Sequence, residues 1–128
     1  MQSIASITLL VPDYDAGIAF YVGKLGFDLL EDTRLSETKR WVRVAPKGTK
    51  TALLLAKADG ETQVAAIGQQ TGGRVSFFLH TDDFARDYAA MKAAGVTFLE
   101  DPRHEAYGSV VVFQDPFGNK WDLIDPLS

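Results

Sequence analysis

A mixed α+β fold is predicted, built from two tandem βαβββ modules whose curved mixed sheets surround a cleft. Three observations carry this expectation. Residues 13–32 laid on residues 82–101, an offset of 69, match at Asp13/Asp82, Ala16/Ala85, Gly26/Gly95, Leu30/Leu99, Glu31/Glu100 and Asp32/Asp101. Six identities in twenty positions stand against roughly one expected from ordinary residue frequencies. In both halves a period-two strand pattern leads into a helical pattern and then into three further strands. The third observation is size. A chain of 128 residues, 46% hydrophobic and 23% charged, can bury a core, whereas one module of about 50 residues alone buries too little. The single domain then divides into module one at about 4–56, a linker at about 57–73 and module two at about 74–125.

The elements follow in order. Ile4–Val11 alternates, with Ile7, Leu9 and Val11 on one side and Ser6, Thr8 and Leu10 on the other. Asp13 caps a helix whose apolar stripe, Ile18, Tyr21, Val22 and Leu25, keeps the helical repeat of spacings. Gly26 stands where the chain leaves that helix in a left-handed conformation. Strands are expected at about Phe27–Thr33, Arg40–Ala45 and Thr51–Ala56, with Pro46-Lys47-Gly48 turning between the last two. Lys57–Gly73, rich in Gly, Gln, Thr and Ala and without periodicity, reads as the linker. Module two begins with a strand at Arg74–His80. A helix between Asp82 or Asp83 and Gly95 is marked by Phe84, Tyr88 and Met91. Strands at Val96–Glu100, Ser109–Gln114 and Asn119–Ile124 complete it, the last two joined by the turn signal Asp115-Pro116-Phe117-Gly118-Asn119. With helices covering one face of each sheet, the other faces are left to line the cleft.

Composition removes several functions. The chain has no cysteine, so a disulfide framework, a thiolate metal site and a cysteine nucleophile are excluded. Thirteen Lys and Arg against seventeen Asp and Glu leave a net charge of −4, which argues against nucleic acid or an anionic membrane as partner. No apolar run is long enough for a membrane span, and the first residues lack the basic start of a secretion signal, so a cytoplasmic protein is expected. Neither Ser6 nor Ser76 belongs to a nucleophile motif, and Gly72-Gly73 and Gly108 read as turns rather than phosphate loops.

Period two also nominates the residues of the cleft. Trp41 and Arg43 share one face of their strand while Val42 and Val44 share the other. An arginine beside an indole suits a flat, polar, partly aromatic ligand. Arg74, Ser76, Phe78 and His80 form the more polar side of the next module's first strand. Asp122 faces away from Trp121 and Leu123, which places a carboxylate on the cleft side. Such a carboxylate needs a partner when buried, and Arg43 and Arg74 are available. Trp41, Arg43, Arg74, Phe78, His80 and Asp122 are therefore the expected ligand-binding residues. Plainer roles stand beside these: Trp41 at an oligomer interface, Asp122 in a structural ion pair, His80 at a strand end, and His104 in a solvated loop. Phe20 and Tyr21 read as core.

Val11-x-Asp13, Phe20-Tyr21, Leu25-Gly26-Phe27 and Asp115-Pro116-x-Gly118-Asn119-x-x-Asp122-Leu123 together resemble the vicinal oxygen chelate superfamily. That superfamily includes glyoxalase I, extradiol dioxygenases, fosfomycin-resistance enzymes and bleomycin-resistance proteins. The resemblance covers nearly the whole chain and implies the duplicated βαβββ order. It fixes function less closely, because the fold hosts isomerases, dioxygenases, transferases and pure binders. The superfamily's metalloenzymes place His, Gln or Glu on the first and last strands of each module. The corresponding positions here are Ser6, a residue near Leu54, one of Arg74–Ser76, and Asp122. One carboxylate among four positions does not hold a transition metal firmly, so no metal and no other cofactor is expected. The function implied is binding of a small organic molecule, with sequestration of a toxic compound as one form, in a homodimer. The alternative is a metal-dependent lyase, isomerase or dioxygenase with displaced ligands, Asp122 joined by His80 or His104.

Overall fold

Leu9 and Val11 are almost fully buried while Leu10 between them is only partly so and Thr8 is exposed, so the first strand packs one side onto a core as its alternation requires. That strand, β1 (Ser6–Val11), opens the first of two compact units, which runs to Ile67 in the computed structural model of residues 1–126. Its helix is α1 (Tyr14–Ile18), capped by the Asp13 carboxylate accepting from the Ala16 N–H. From Ala19 to Lys24 the helix widens to π geometry, Leu25 N–H reaching back to the Phe20 carbonyl. This corrects the predicted stripe. The extra residue per turn brings Phe20 and Tyr21 inward together, 3% and 0% exposed, whereas Ile18, Val22 and Leu25 are only partly buried. Three strands follow, β2 (Asp28–Arg34), β3 (Arg40–Ala45) and β4 (Ala52–Lys57). The sheet order is β1-β4-β3-β2, with β1 parallel to β4 and the other pairs antiparallel.

The segment read as an irregular linker contains a short helix, α2 (Glu61–Ala66). It has no buried residue, and so no apolar stripe by which its sequence could announce it. Gly60, at φ 85°, turns the chain into it, and the Asp59 N–H donates to Gln63 Oε1.

The second unit begins at Gly68. It holds β5 (Val75–His80), α3 (Phe84–Ala93), β6 (Thr97–Phe98), β7 (Arg103–Glu105), β8 (Gly108–Gln114) and β9 (Lys120–Pro126). Of the two acidic residues offered as cap, Asp83 accepts from the Arg86 N–H, and Asp82 pairs with the Arg86 guanidinium instead. The sheet order is β5-β9-β8-β6, with β7 also on β8. β7 corrects the loop assigned to His104. Arg103, His104 and Glu105 pair with Val110, Ser109 and Gly108 across a tight hairpin, so the module has one strand more than predicted. The core is aromatic: Phe77 and Trp121 lie 4.5 Å apart between ring centroids, Phe113 and Trp121 5.7 Å, and Tyr88 and Phe98 4.7 Å.

The β8–β9 turn is held by one buried carboxylate. Asp115 Oδ1 accepts from the Phe117 and Asn119 N–H groups at 3.0 and 2.8 Å, and Oδ2 accepts from Asn119 Nδ2 at 2.8 Å. Gly118, at φ 102°, supplies the conformation other residues resist. The second glycine of note is Gly68, also at positive φ, where a Cβ would overlap the Phe117 carbonyl of this same turn.

Candidate functional site

The outer face of the first sheet carries the residues that strand alternation places opposite the core. Register sets Glu31 beside Arg43, Thr33 beside Trp41, and Arg43 beside Leu54. Trp41 is 38% exposed, so part of its indole face is open to a ligand. Beside it a cavity of about 620 Å³ is lined by Trp41, Tyr14, Leu54, Ala56, Lys39 and Lys57, with Arg40, Asp59 and Gln63 among the remaining wall. Arg40 is fixed there. It makes ion pairs with Asp32 at 2.7 Å and Asp15 at 2.9 Å, and its guanidinium lies 5.3 Å from the Tyr14 ring centroid. The hydrogen bond from Arg40 holds the Asp32 carboxyl below the usual carboxylate range. The volume lies within the ordinary range for small-molecule sites.

Arg43 shares Trp41's face but does not line this cavity. Its guanidinium donates to Ser6 Oγ at 2.9 Å, to Glu31 Oε1 at 3.1 Å and to the Ala5 carbonyl at 3.3 Å. The expected pairing of Asp122 with Arg43 is thereby corrected, because all three partners of Arg43 belong to its own unit.

In the second unit, Phe78, Asp122 and Val112 are neighbours across β5, β9 and β8, while Trp121 and Leu123 are buried on the other side. Phe78 is 65% exposed. His80, opposite Ile124, is exposed as well. Arg74 is not on a strand as expected but in the turn before β5, exchanging backbone and hydroxyl hydrogen bonds with Thr71. The charges acting on Asp122 are instead Arg103 and Glu100. Burial pushes the Asp122 carboxyl up from its ordinary value; Arg103 opposes that and Glu100 adds to it. Its Oδ1 is buried without a hydrogen-bond partner among the described residues. Arg103 is already engaged by both Glu100 oxygens, and Glu100 Oε2 also accepts the Val112 N–H.

The metal positions of the resemblance do not fit a metal. The Ser6 hydroxyl is held by a guanidinium, Leu54 offers only carbon, and the Ser76 hydroxyl bonds Thr71 Oγ1 at 2.8 Å. A cation brought to Ser6 would face the Arg43 charge at contact distance. The displaced set is not gathered either: among the described residues no three His, Asp or Glu side chains converge on a common point. His104 Nδ1 bonds Ser109 Oγ at 2.8 Å.

Sequence reasoning missed Tyr14, Lys39, Lys57, Asp59 and Gln63 as cavity wall, and Glu100 and Arg103 beside Asp122. Only Glu100 had left a signal, as the repeat partner of Glu31.

Two sheets, each with a parallel β1–β4 or β5–β9 pair and a helix after the first strand, define a duplicated α+β fold of the glyoxalase kind. Residues 3–123 match the Glyoxalase/Bleomycin resistance protein/Dioxygenase superfamily, and the chain belongs to that family. An uncharacterized protein of Shewanella frigidimarina is 53% identical over 96% of this chain and 93% of its own length. The crystal structure of UcmS2 superposes with a TM-score of 0.85 at 31% identity, covering 98% of both chains. TnmS3, described as an antibiotic binding protein from Streptomyces sp. CB03234, gives 0.79 at 31% identity, covering 99% of this chain and 98% of its own. No helix among the described residues is long and apolar enough to cross a membrane.

Proposed function

We propose that this protein binds a small organic molecule in the first unit's cavity, with Trp41 as the stacking surface and no resident metal. The observation that carries this is the indole left 38% exposed beside a cavity of about 620 Å³. The wall supports it: Tyr14, Leu54 and Ala56 give apolar area, and Lys39, Lys57, Asp59 and Gln63 give polar groups that orient a ligand. The description of TnmS3, at 31% identity over nearly the full chain, makes an antibiotic-like molecule a fitting occupant. Sequestration of a toxic compound is the physiological form we favour, in the cytoplasm, with both modules acting as one functional domain. A homodimer is part of the proposal, since β1 and β5 each pair on one side only.

The test is a thermal-shift screen of aromatic small molecules against the protein and its Trp41→Ala variant. Hits should stabilise the first and quench its fluorescence, and Trp41→Ala should lose most of that stabilisation. Hits that stabilise both proteins equally would remove the cavity from the proposal.

A further inference from the structure

Two cations of the cavity wall stand without a carboxylate. The protein carries −4 overall, yet the cavity wall holds Lys39, Arg40 and Lys57 against the single carboxylate of Asp59. Arg40 is committed to two carboxylates, Asp15 and Asp32, so that with Asp59 the charges at the cavity balance. Lys39 and Lys57 are different: neither has a carboxylate within ion-pair distance among the described residues. Two uncommitted lysines in the wall of a cavity that also presents an indole favour an anionic group placed against them.

We infer that the cavity selects a flat aromatic molecule bearing an anionic group, a carboxylate or phenolate, with its ring on Trp41 and its charge answered by Lys39 and Lys57. This rests on the binding proposed above and names its ligand class. The two uncommitted ammonium groups, rather than the net charge of the chain, decide which ligands enter, because charges beyond about 10 Å are largely screened at ordinary salt. Asp59 narrows the choice further, since a ligand with a second anionic group on that side would be repelled.

Three probes of one shape test it: 2-naphthoate, 2-naphthamide and the 2-naphthyltrimethylammonium ion, titrated calorimetrically to millimolar concentration at low and high salt. At low salt the naphthoate should bind about tenfold more tightly than the amide, the scale of one charge-assisted contact, and the ammonium ion least. Adding salt should erode that advantage. A Lys39→Gln/Lys57→Gln double variant should abolish the preference for the acid over the amide. Trp41→Ala should weaken acid and amide alike. Equal binding of acid and amide, or preference for the ammonium ion, with sensitivity to Trp41→Ala kept, would overturn the anion selectivity and leave the binding reading standing. If no probe binds, or Trp41→Ala changes nothing, both fall together.

Discussion

Asp115→Ala should weaken the hairpin that carries Asp122. The Asp115 carboxylate satisfies three donors: the Phe117 N–H, the Asn119 N–H and Asn119 Nδ2. Asn119 is 2% exposed, so water cannot replace the lost acceptor at two of the three. Each buried donor left without a partner costs about 1–3 kcal/mol, and the partly exposed Phe117 N–H costs little. The expected loss is therefore about 3–4 kcal/mol, a large share of the ~5–15 kcal/mol that holds a typical domain folded. Asp115→Asn keeps one acceptor oxygen for both backbone donors and forfeits mainly the Asn119 side-chain bond, for about 1 kcal/mol. Urea unfolding is the assay, read by the fluorescence of Trp121 in a Trp41→Phe background. Trp121 is 4% exposed and sits two residues past Asn119, so it reports on this hairpin. An Asp115→Ala loss below about 1 kcal/mol, or equal losses for Ala and Asn, would refute the reasoning, because both require that buried orphan donors dominate.

Asp122→Asn should stabilise the protein at neutral pH and lose that advantage as pH falls. The folded carboxyl titrates above its unfolded value because of burial, so its favourable contribution is present below the unfolded value of about 3.9 and lost as pH rises through the folded one. Thermal melts of both proteins between acid and neutral pH check the sign; a constant difference across the range would contradict it. Gly68→Ala combines a positive φ with overlap of the Phe117 carbonyl, and should lower stability by about 3 kcal/mol in a urea titration. Chelator, or added Zn²⁺, Ni²⁺ or Fe²⁺, should leave the melting temperature unchanged, since a resident metal would raise it by mass action. One ion per chain in elemental analysis would reverse that. Light scattering at micromolar concentration should give twice the chain mass; a monomer at much higher concentration would remove the homodimer.

Much of the fold was legible because it is written in short-range patterns. Alternation placed Val42 and Val44 inward and Trp41 and Arg43 outward, and the helix-ending glycines recur at Gly26 and Gly95 with φ of 76° and 85°. What escaped was what depends on a neighbour. The π-helical turn at Ala19–Lys24 has no period of its own, and β7 forms only because β8 offers three residues to pair with. The cavity escaped for the same reason. Lys39, Lys57 and Gln63 come from a loop, a strand end and a helix without an apolar stripe, and no spacing joins them.

The surroundings of Asp122 show how close the sequence came. Glu31 and Glu100 were visible as a repeated residue with no role attached. The structure gives each the same task, holding an arginine: Glu31 binds Arg43 at 3.1 Å and Glu100 binds Arg103 at 3.0 Å. The two arginines are not themselves repeat partners, because position 43 plus the offset of 69 falls on Val112, whose N–H Glu100 also receives. Each module therefore kept the glutamate and took its cation from a different strand. In module one that cation lies against Ser6, where it excludes a metal. In module two it acts on Asp122 while bound to Glu100, which leaves Asp122 Oδ1 buried and unanswered. A repeat search finds the conserved half of such a pair and is blind to the exchanged half. Double-mutant cycles on Glu31/Arg43 and Glu100/Arg103 should give coupling energies of about 0.5–1 kcal/mol each, as expected for partly exposed pairs. A cycle in either module with no coupling would show that the repeated glutamate is held for some other reason.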